Sequence, residues 1–593
     1  MTSLDFYLLA AVLIATLGLG LLAAKKETTG EDFLLAGRSL TWWAAGTSMV
    51  ATTFAVDTPL VVAGLCASDG IAANWFWWGL LGSHLFVTFG LAARWRATRC
   101  TTDAEVVALR YGEGPTASLL RRLRALYFMV PINLFVLGWV LHAGAKVLGS
   151  LIPFHRWFSA ELLAQLAWGS LDGAAILGLI ASLLIALAYG TVAGLRGVVW
   201  TDLLQFSLAM GGALLLAWLA LDLSGGAAGL AALIDGRSAG LPQADLQLLL
   251  ALAPLDGEVL LGISPGPAAL DLLGGHGDLV ISALLLSWWA NKNADGGGVL
   301  VQRMLACRSR KDATLAMGWF TAAHYLIRPW AWMVVGLVVG VLFALPPASG
   351  FEQSYPDAML SLIPPGLLGL ALGGMVAALV STADTHLHWG ASYLANDLLP
   401  KTSNDAQRLK WARWSQPPMA LAAAIIAAHL GSIAGAWKIL LVLGAGLGAP
   451  TLLRWYLPRL AAGAELSAFA SSTACAALLL WGPWPRPGFA LQMALVGGTG
   501  LLTCLFHSWR WPGDFERAKS FMKLSDAAPH RWWLWALAAL VLLLTAAAGA
   551  VSALSGNGTG IITFVAGLAG YTLLLSRFAL AVDRKDAMGP QAA

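Results

Sequence analysis

The run Asn291-Lys292-Asn293-Ala294-Asp295-Gly296-Gly297-Gly298 places two charges, two amides and three consecutive glycines inside an apolar segment. At the centre of a membrane helix a Lys or an Asp costs about 2.5–3.5 kcal/mol, and consecutive glycines weaken the helix itself. Broken backbone at membrane depth persists only where it is buried in protein or lines a wet cavity. The run therefore reads as part of a binding site. Two further pairs have usable spacing: His324 with Arg328, and Asp384 with His388, each four apart on one helix face. Lys292 and Arg328 favour an anionic group, so a small carboxylate is the first choice of ligand. An amino acid would use both signs, with Asp57 or Asp295 on its ammonium. The plainer alternative is that Lys292 pairs with Asp57 or Asp295 and His388 with Asp384, only to hold helices together. Arg328, beside Pro329, could also snorkel outward. No Walker loop, G-x-S-x-G elbow or kinase signature occurs. The five cysteines form no C-x-x-C pair. No catalytic residue and no organic cofactor is expected.

These residues need elements to position them, and the composition says which kind. The chain has 593 residues, 58% hydrophobic and 11% charged, with 28 Trp, against about 25% charged in a soluble domain. About fifteen apolar stretches are long enough to span a bilayer. They lie near 5–23, 40–66, 72–93, 123–149, 173–193, 198–222, 279–304, 314–345, 366–395, 413–431, 435–456, 464–482, 488–508, 531–552 and 558–578. The first follows Asp5, lacks a basic leader and reads as a retained helix. With the N-terminus outside, the cytoplasmic loops collect Lys25, Lys26, Arg38, the arginines from Arg94 to Arg124, Arg308, Arg310, Lys311, the basic residues from Lys401 to Arg413, Arg454, Arg459 and those from Arg510 to Lys523. The opposite loops hold few, such as Arg156, Arg237 and Arg486. This positive-inside bias predicts a plasma (inner) membrane protein with a cytoplasmic C-terminal tail. It also accounts for the net charge of +4, which gives no sign of a nucleic-acid partner.

The second apolar stretch is interrupted as well, through Gly46 to Pro59, where an acid, a proline and several hydroxyls cluster. The interrupted stretch at 279–304 is the seventh. Paired interruptions at matching positions of two halves point to an inverted-repeat transporter. Spans two to six and seven to eleven then form two five-helix units of opposite orientation. The expected division is 1–36, an extra helix and loop; 37–222, the first repeat; 223–278, an extracellular loop; 279–460, the second repeat; and 461–593, about four extra helices and the tail. The substrate site is expected near midplane between the two breaks, from Asp57, Trp75, Trp78, Asn291, Lys292, Asn293, Asp295, His324 and Arg328.

Four segments carry a family resemblance. Asp32-Phe33-Leu34-Leu35-Ala36-Gly37-Arg38-Ser39-Leu40, Gly194 to Gln205, Gln302-Arg303-Met304-Leu305-Ala306 and Ala377-Ala378-Leu379-Val380-Ser381-Thr382 resemble, in this order, segments of the sodium:solute symporter family. The resemblance covers roughly residues 5 to 460. It implies an all-α, LeuT-type 5+5 core that carries a small organic solute with sodium by alternating access. It implies a sodium site made by the carbonyls of Ala51, Phe54 and Ala378 and the hydroxyls of Ser381 and Thr382. The plain reading of such hydroxyls is that each bonds its own i−4 carbonyl. Asp202 could guide sodium to the cytoplasm, or act as a helix N-cap acid. Thr53 stands where the proline-carrying branch has an acid, and sugar-carrying relatives have a lysine near His324 and Arg328. Asp384 and His388, just past the hydroxyl pair, are candidates for a coupling role. The segment from Ser508 to Arg531, basic and aromatic, could lie on anionic lipid or be an ordinary loop. The alternatives are a transporter-like nutrient sensor with a separate signalling partner, and a membrane enzyme. Expected partners are the solute, sodium and the bilayer; oligomeric state is left open.

Overall fold

The computed structural model describes residues 1–24, 35–190, 195–238, 285–342, 350–400, 404–485, 487–526, 528–554 and 559–587. Among these residues the architecture is all-α, with only two isolated β-bridges. The helices that matter below are α1 (Ser3–Ala24), α2 (Trp42–Thr52), α3 (Asp57–Asp69), α4 (Trp75–Thr98), α5 (Pro115–Leu151), α6 (Gly173–Gly190), α7 (Leu195–Leu223), α8 (Gly297–Ala306), α9 (Arg310–Leu342), α10 (Leu367–Leu398), α11 (Asp405–His429), α12 (Ile433–Leu453), α13 (Ala462–Trp481), α14 (Phe489–Arg510), α15 (Trp532–Leu554) and α16 (Thr559–Ala587).

Eleven of the described helices are long and apolar enough to cross a membrane, twelve when the bent pair α2–α3 counts as one span. The expected fifteen is not reached by that measure. The helices α6, α8 and α11 fall short of it in length or hydropathy, although all three form. The expected extracellular loop is helical at Gly226–Ser238, and 239–284 lies outside the described residues.

Burial runs opposite to that of a soluble protein. Helix α10 is buried at every residue from Ala371 to Tyr393, polar ones included. Helices α1, α7, α15 and α16 turn large apolar side chains outward, among them Ile14, Trp218, Val541, Ile561 and Ile562. An outward apolar face suits lipid, whose tails are as apolar as Leu. The centre is built from α2, α7, α9 and α10. Helix α1 packs on α7 and α10, while the α15–α16 hairpin packs on α9. The last contact depends on Gly318, against which Leu575 lies and whose carbonyl accepts the Tyr571 hydroxyl at 3.0 Å.

Candidate substrate and ion site

Both interruptions exist and have local causes. Helix α2 stops at Thr52, and the chain bends by 62° before α3. The Thr53 hydroxyl turns back onto the Met49 and Val50 carbonyls at 2.9 and 3.1 Å, a bond that competes with continuing the helix. Helix α3 begins at Asp57, where a carboxylate is favoured by the helix dipole, and Pro59 in the same turn needs no N–H partner. In the second break Asn291 Oδ1 accepts the Asn293 amide at 2.7 Å, and Asn291 Nδ2 donates to the Ser287 carbonyl at 2.5 Å. Gly296 and Gly297 then enter α8 with φ of 117° and 65°, the left-handed region open to glycine. The break lies directly on α12, where a Cβ at Gly448 would stand 1.9 Å from the Trp289 carbonyl oxygen.

The two breaks face one cavity of about 250 Å3. Asp57, Asn291, Lys292, Asn293, His324 and Arg328 line it as expected. Asp57 Oδ2 accepts the Trp437 indole N–H at 3.1 Å, and its Oδ1 is buried with no hydrogen-bond partner. Lys292 Nζ donates to Asn293 Oδ1 at 3.3 Å. Among the described residues no carboxylate comes within ion-pair distance of Lys292, so its pairing with Asp57 or Asp295 does not occur. Arg328 does not snorkel: it is fully buried, donates to the Val50 carbonyl at 2.9 Å, and reaches His324 Nδ1 at 2.5 Å. An arginine always donates, so His324 Nδ1 must be the acceptor and the ring proton sits on Nε2.

Other expected lining residues are elsewhere. Trp75 and Trp78 are absent from the cavity wall; Trp78 packs edge-on against Trp75 and tilts over Trp330. Helix α4 instead turns Phe76, Trp77, Leu80 and His84 inward. Every rotation of the Trp-Phe-Trp-Trp run offers an aromatic face, so sequence periodicity could not choose. Asp295 points out of the cavity toward Arg454, whose Nη1 is 4.0 Å away. Asp384 and His388 pair within α10 at 3.2 Å. Between them His386 lines the cavity, its Nδ1 held by Asn133 Oδ1 at 2.6 Å.

The hydroxyl pair does not bond its own helix. Thr382 Oγ1 crosses to the Thr52 carbonyl of α2 at 2.9 Å, and Ser381 Oγ crosses to Asp202 Oδ1 of α7 at 2.5 Å. Asp202 is no N-cap, since it stands two turns inside α7 and is fully buried. Its Oδ2 accepts Ser48 Oγ at 2.6 Å and lies 3.9 Å from Arg303 Nη2. Arg303 also donates to the hydroxyls of Thr52 and Thr385 at 3.2 and 2.8 Å. Hydroxyls of α10 thus reach the Thr52 carbonyl of α2 and the Asp202 carboxylate of α7, and hard cations take oxygens of these kinds.

The sodium:solute symporter family profile matches residues 33–453, well over half of the chain. The chain belongs to the sodium:solute symporter family. The symporter is 26% identical over 495 residues to a sodium/glucose cotransporter of Vibrio parahaemolyticus, a match spanning 77% of this chain and 80% of that protein. Over 410 residues it is 27% identical to sodium/myo-inositol cotransporter 2 of Homo sapiens, covering 65% of this chain and 54% of that one. The structure of a Na+-coupled sialic acid symporter in a substrate-bound outward-open state superposes with a TM-score of 0.65 at 19% identity, covering 86% of this chain and 99% of that one. That likeness gives the fold, the LeuT type. The symporter is a multi-pass membrane transporter and not an enzyme, and sodium is a co-transported ion.

The sequence of the symporter did not single out Arg303, Trp77, His84, Trp139, Trp389 or Trp437 for the site, and it marked His386 only as an imidazole between Asp384 and His388. Arg303 had a usable signal: an arginine in an apolar helix must find an acid or carbonyls, and Asp202 was the unexplained acid. The aromatic residues had none, because in this chain aromatic side chains occur on nearly every span.

Proposed function

We propose that this symporter carries a small zwitterionic solute of the amino-acid type together with sodium by alternating access. One observation carries the substrate class: a single cavity presents a buried carboxylate oxygen without a partner, on Asp57, and an ammonium held only by a neighbouring amide, on Lys292. Leaving a buried charge-bearing group unpaired is costly, and a solute with both signs relieves both. Asp57 takes the ammonium, beside Trp437 and Phe76, whose rings are stacked at 6.1 Å and offer cation–π attraction. Lys292 takes the carboxylate. Arg328 bonds Val50 and His324 through its two Nη atoms and acts as a positioning residue of the first break, while its Nε is buried without a hydrogen-bond partner.

We assign sodium to the carbonyls of Ala51, Phe54 and Ala378 and the hydroxyls of Ser381 and Thr382. The crossing of both hydroxyls from α10 to α2 and α7 supports this, since an ion there would tie the mobile halves together. Asp202 lies beside it as the first acid on the way out. We place the repeats at 37–222 and 279–460, with the N-terminus outside and the tail in the cytoplasm of an inner membrane. The facing breaks and the distribution of basic loops support that arrangement.

A second reading is favoured by the relatives: those named above carry glucose and myo-inositol, and indole and amide groups suit a polyol too. Uptake into proteoliposomes of labelled amino acids, carboxylates and sugars, with and without a sodium gradient, separates the readings. Amino-acid uptake that collapses in Asp57→Asn and in Lys292→Gln is the expected result. Sugar uptake that survives Lys292→Gln would replace it. Sodium-independent uptake by Ser381→Ala/Thr382→Ala is expected; unchanged sodium dependence would remove the ion site.

A further inference from the structure

Helix α10 puts an imidazole on the cavity wall that the solute site as proposed does not use. His386 stands one turn beyond Thr382 and one turn before Trp389, and all three line the cavity. Its tautomer is fixed from α5. Asn133 Nδ2 donates to the His386 carbonyl at 2.9 Å, and a carbonyl can only accept. Asn133 Oδ1 is therefore the atom turned to the ring, where it accepts the Nδ1 proton at 2.6 Å. Like charges repel, and the Lys292 ammonium already lines this cavity, so the ring is neutral. Its free lone pair is then on Nε2. Among the described residues Nε2 has no hydrogen-bond partner, and unlike Nε1 of the neighbouring Trp389 it is not sealed within the packing. The wall around it is mostly apolar. Val136, Trp139 and Val140 of α5 face the cavity beside Trp389, and the Thr382 hydroxyl is spent on the Thr52 carbonyl.

We propose that His386 Nε2 selects a solute whose side chain carries a hydrogen-bond donor: an amino acid with a short hydroxyl or carboxamide side chain. This rests on the zwitterion placed on Asp57 and Lys292 and adds the side chain to it. Asp57 and Lys292 come from the two breaks, whereas His386 stands on α10. A solute held at its charged end by the breaks turns its side chain to the wall made by α5 and α10. A lone acceptor in an apolar wall rewards a side chain with a donor. An apolar isostere takes the place of water there and leaves Nε2 unpaired, which is the stronger ground for rejecting it.

The test is initial uptake by the full chain in proteoliposomes, under a sodium gradient, from equimolar mixtures of near-isosteric pairs: labelled threonine with valine, and asparagine with leucine. The natural protein is expected to prefer the polar member of at least one pair about tenfold, the worth of one hydrogen bond. His386→Asn keeps an N–H for Asn133 Oδ1 but has no atom in the place of Nε2, and is expected to bring that ratio close to one. A fall that strikes both members equally, with the ratio kept, is what a merely structural role gives and overturns the proposal. Uptake of polar and apolar members alike by the natural protein overturns the role of His386 and leaves the zwitterion on Asp57 and Lys292 standing. No uptake of any of the four amino acids overturns both. If His386→Asn does not fold, His386→Phe is read by the same ratio, and a preference that survives there overturns the proposal.

Discussion

Lys292 and Asp57 differ from Arg303 and Arg454 in lining the cavity, with room for a partner that is not protein. Arg303 is closed off by three hydroxyls and Asp202, and Arg454 by Glu465 at 2.5 Å. Charge-assisted hydrogen bonds contribute about 1.5–3 kcal/mol each. Lys292→Gln should therefore raise the half-saturating concentration of a zwitterionic solute about tenfold or more, with little change in protein yield. Uptake kinetics against expression level check this. Arg303→Gln is a different case. It leaves Asp202 buried without its cation, and breaking a buried pair costs about 3–5 kcal/mol. It should show as a large fall in thermal stability in detergent, together with lost uptake.

At the level of elements, the second break works only because α12 presents glycine to it. A Cβ at Gly448 would overlap the Trp289 carbonyl and stand 2.6 Å from the Asn291 oxygen. These are backbone atoms that cannot swing aside. Gly448→Ala should displace Asn291 and Lys292 from the cavity, costing about 1–3 kcal/mol of stability by overpacking and a larger share of uptake. Thermal melts and uptake rates measured on the same preparation distinguish the two effects. Sequence periodicity found both breaks, because glycines, amides and an early proline are local signals. It could not find the rotation of α4, since which of four adjacent aromatics faces inward depends on what α9 and α12 offer them.

The whole molecule is a transporter core held by peripheral helices. Helix α13 is joined to α12 by the buried Arg454–Glu465 pair, with Tyr111 also bonded to Glu465. Since Arg454 stands 4.0 Å from Asp295, the second break is in electrostatic contact with that joint. Glu465→Gln should lower the melting temperature clearly and reduce uptake, although Glu465 is outside the cavity. If positive-inside bias sets the orientation, green fluorescent protein fused after residue 593 should fluoresce, and alkaline phosphatase at the same point should be inactive. Active phosphatase there would invert the topology.

The sequence by itself determined the solvent, the all-α class, the two breaks and the family. These follow from hydropathy, from the cost of charge in lipid, and from short motifs that are contiguous along the chain. Of the nine residues expected around the solute, Asp57, Asn291, Lys292, Asn293, His324 and Arg328 reach the cavity, because broken backbone and paired charges betray themselves locally. Only the tertiary structure decided the rest. It turned Trp75, Trp78 and Asp295 away and brought Arg303 to Asp202 across about a hundred intervening residues. Partnership between distant buried groups depends on helix rotation and register, and one turn of a helix looks the same in sequence whichever neighbour it meets.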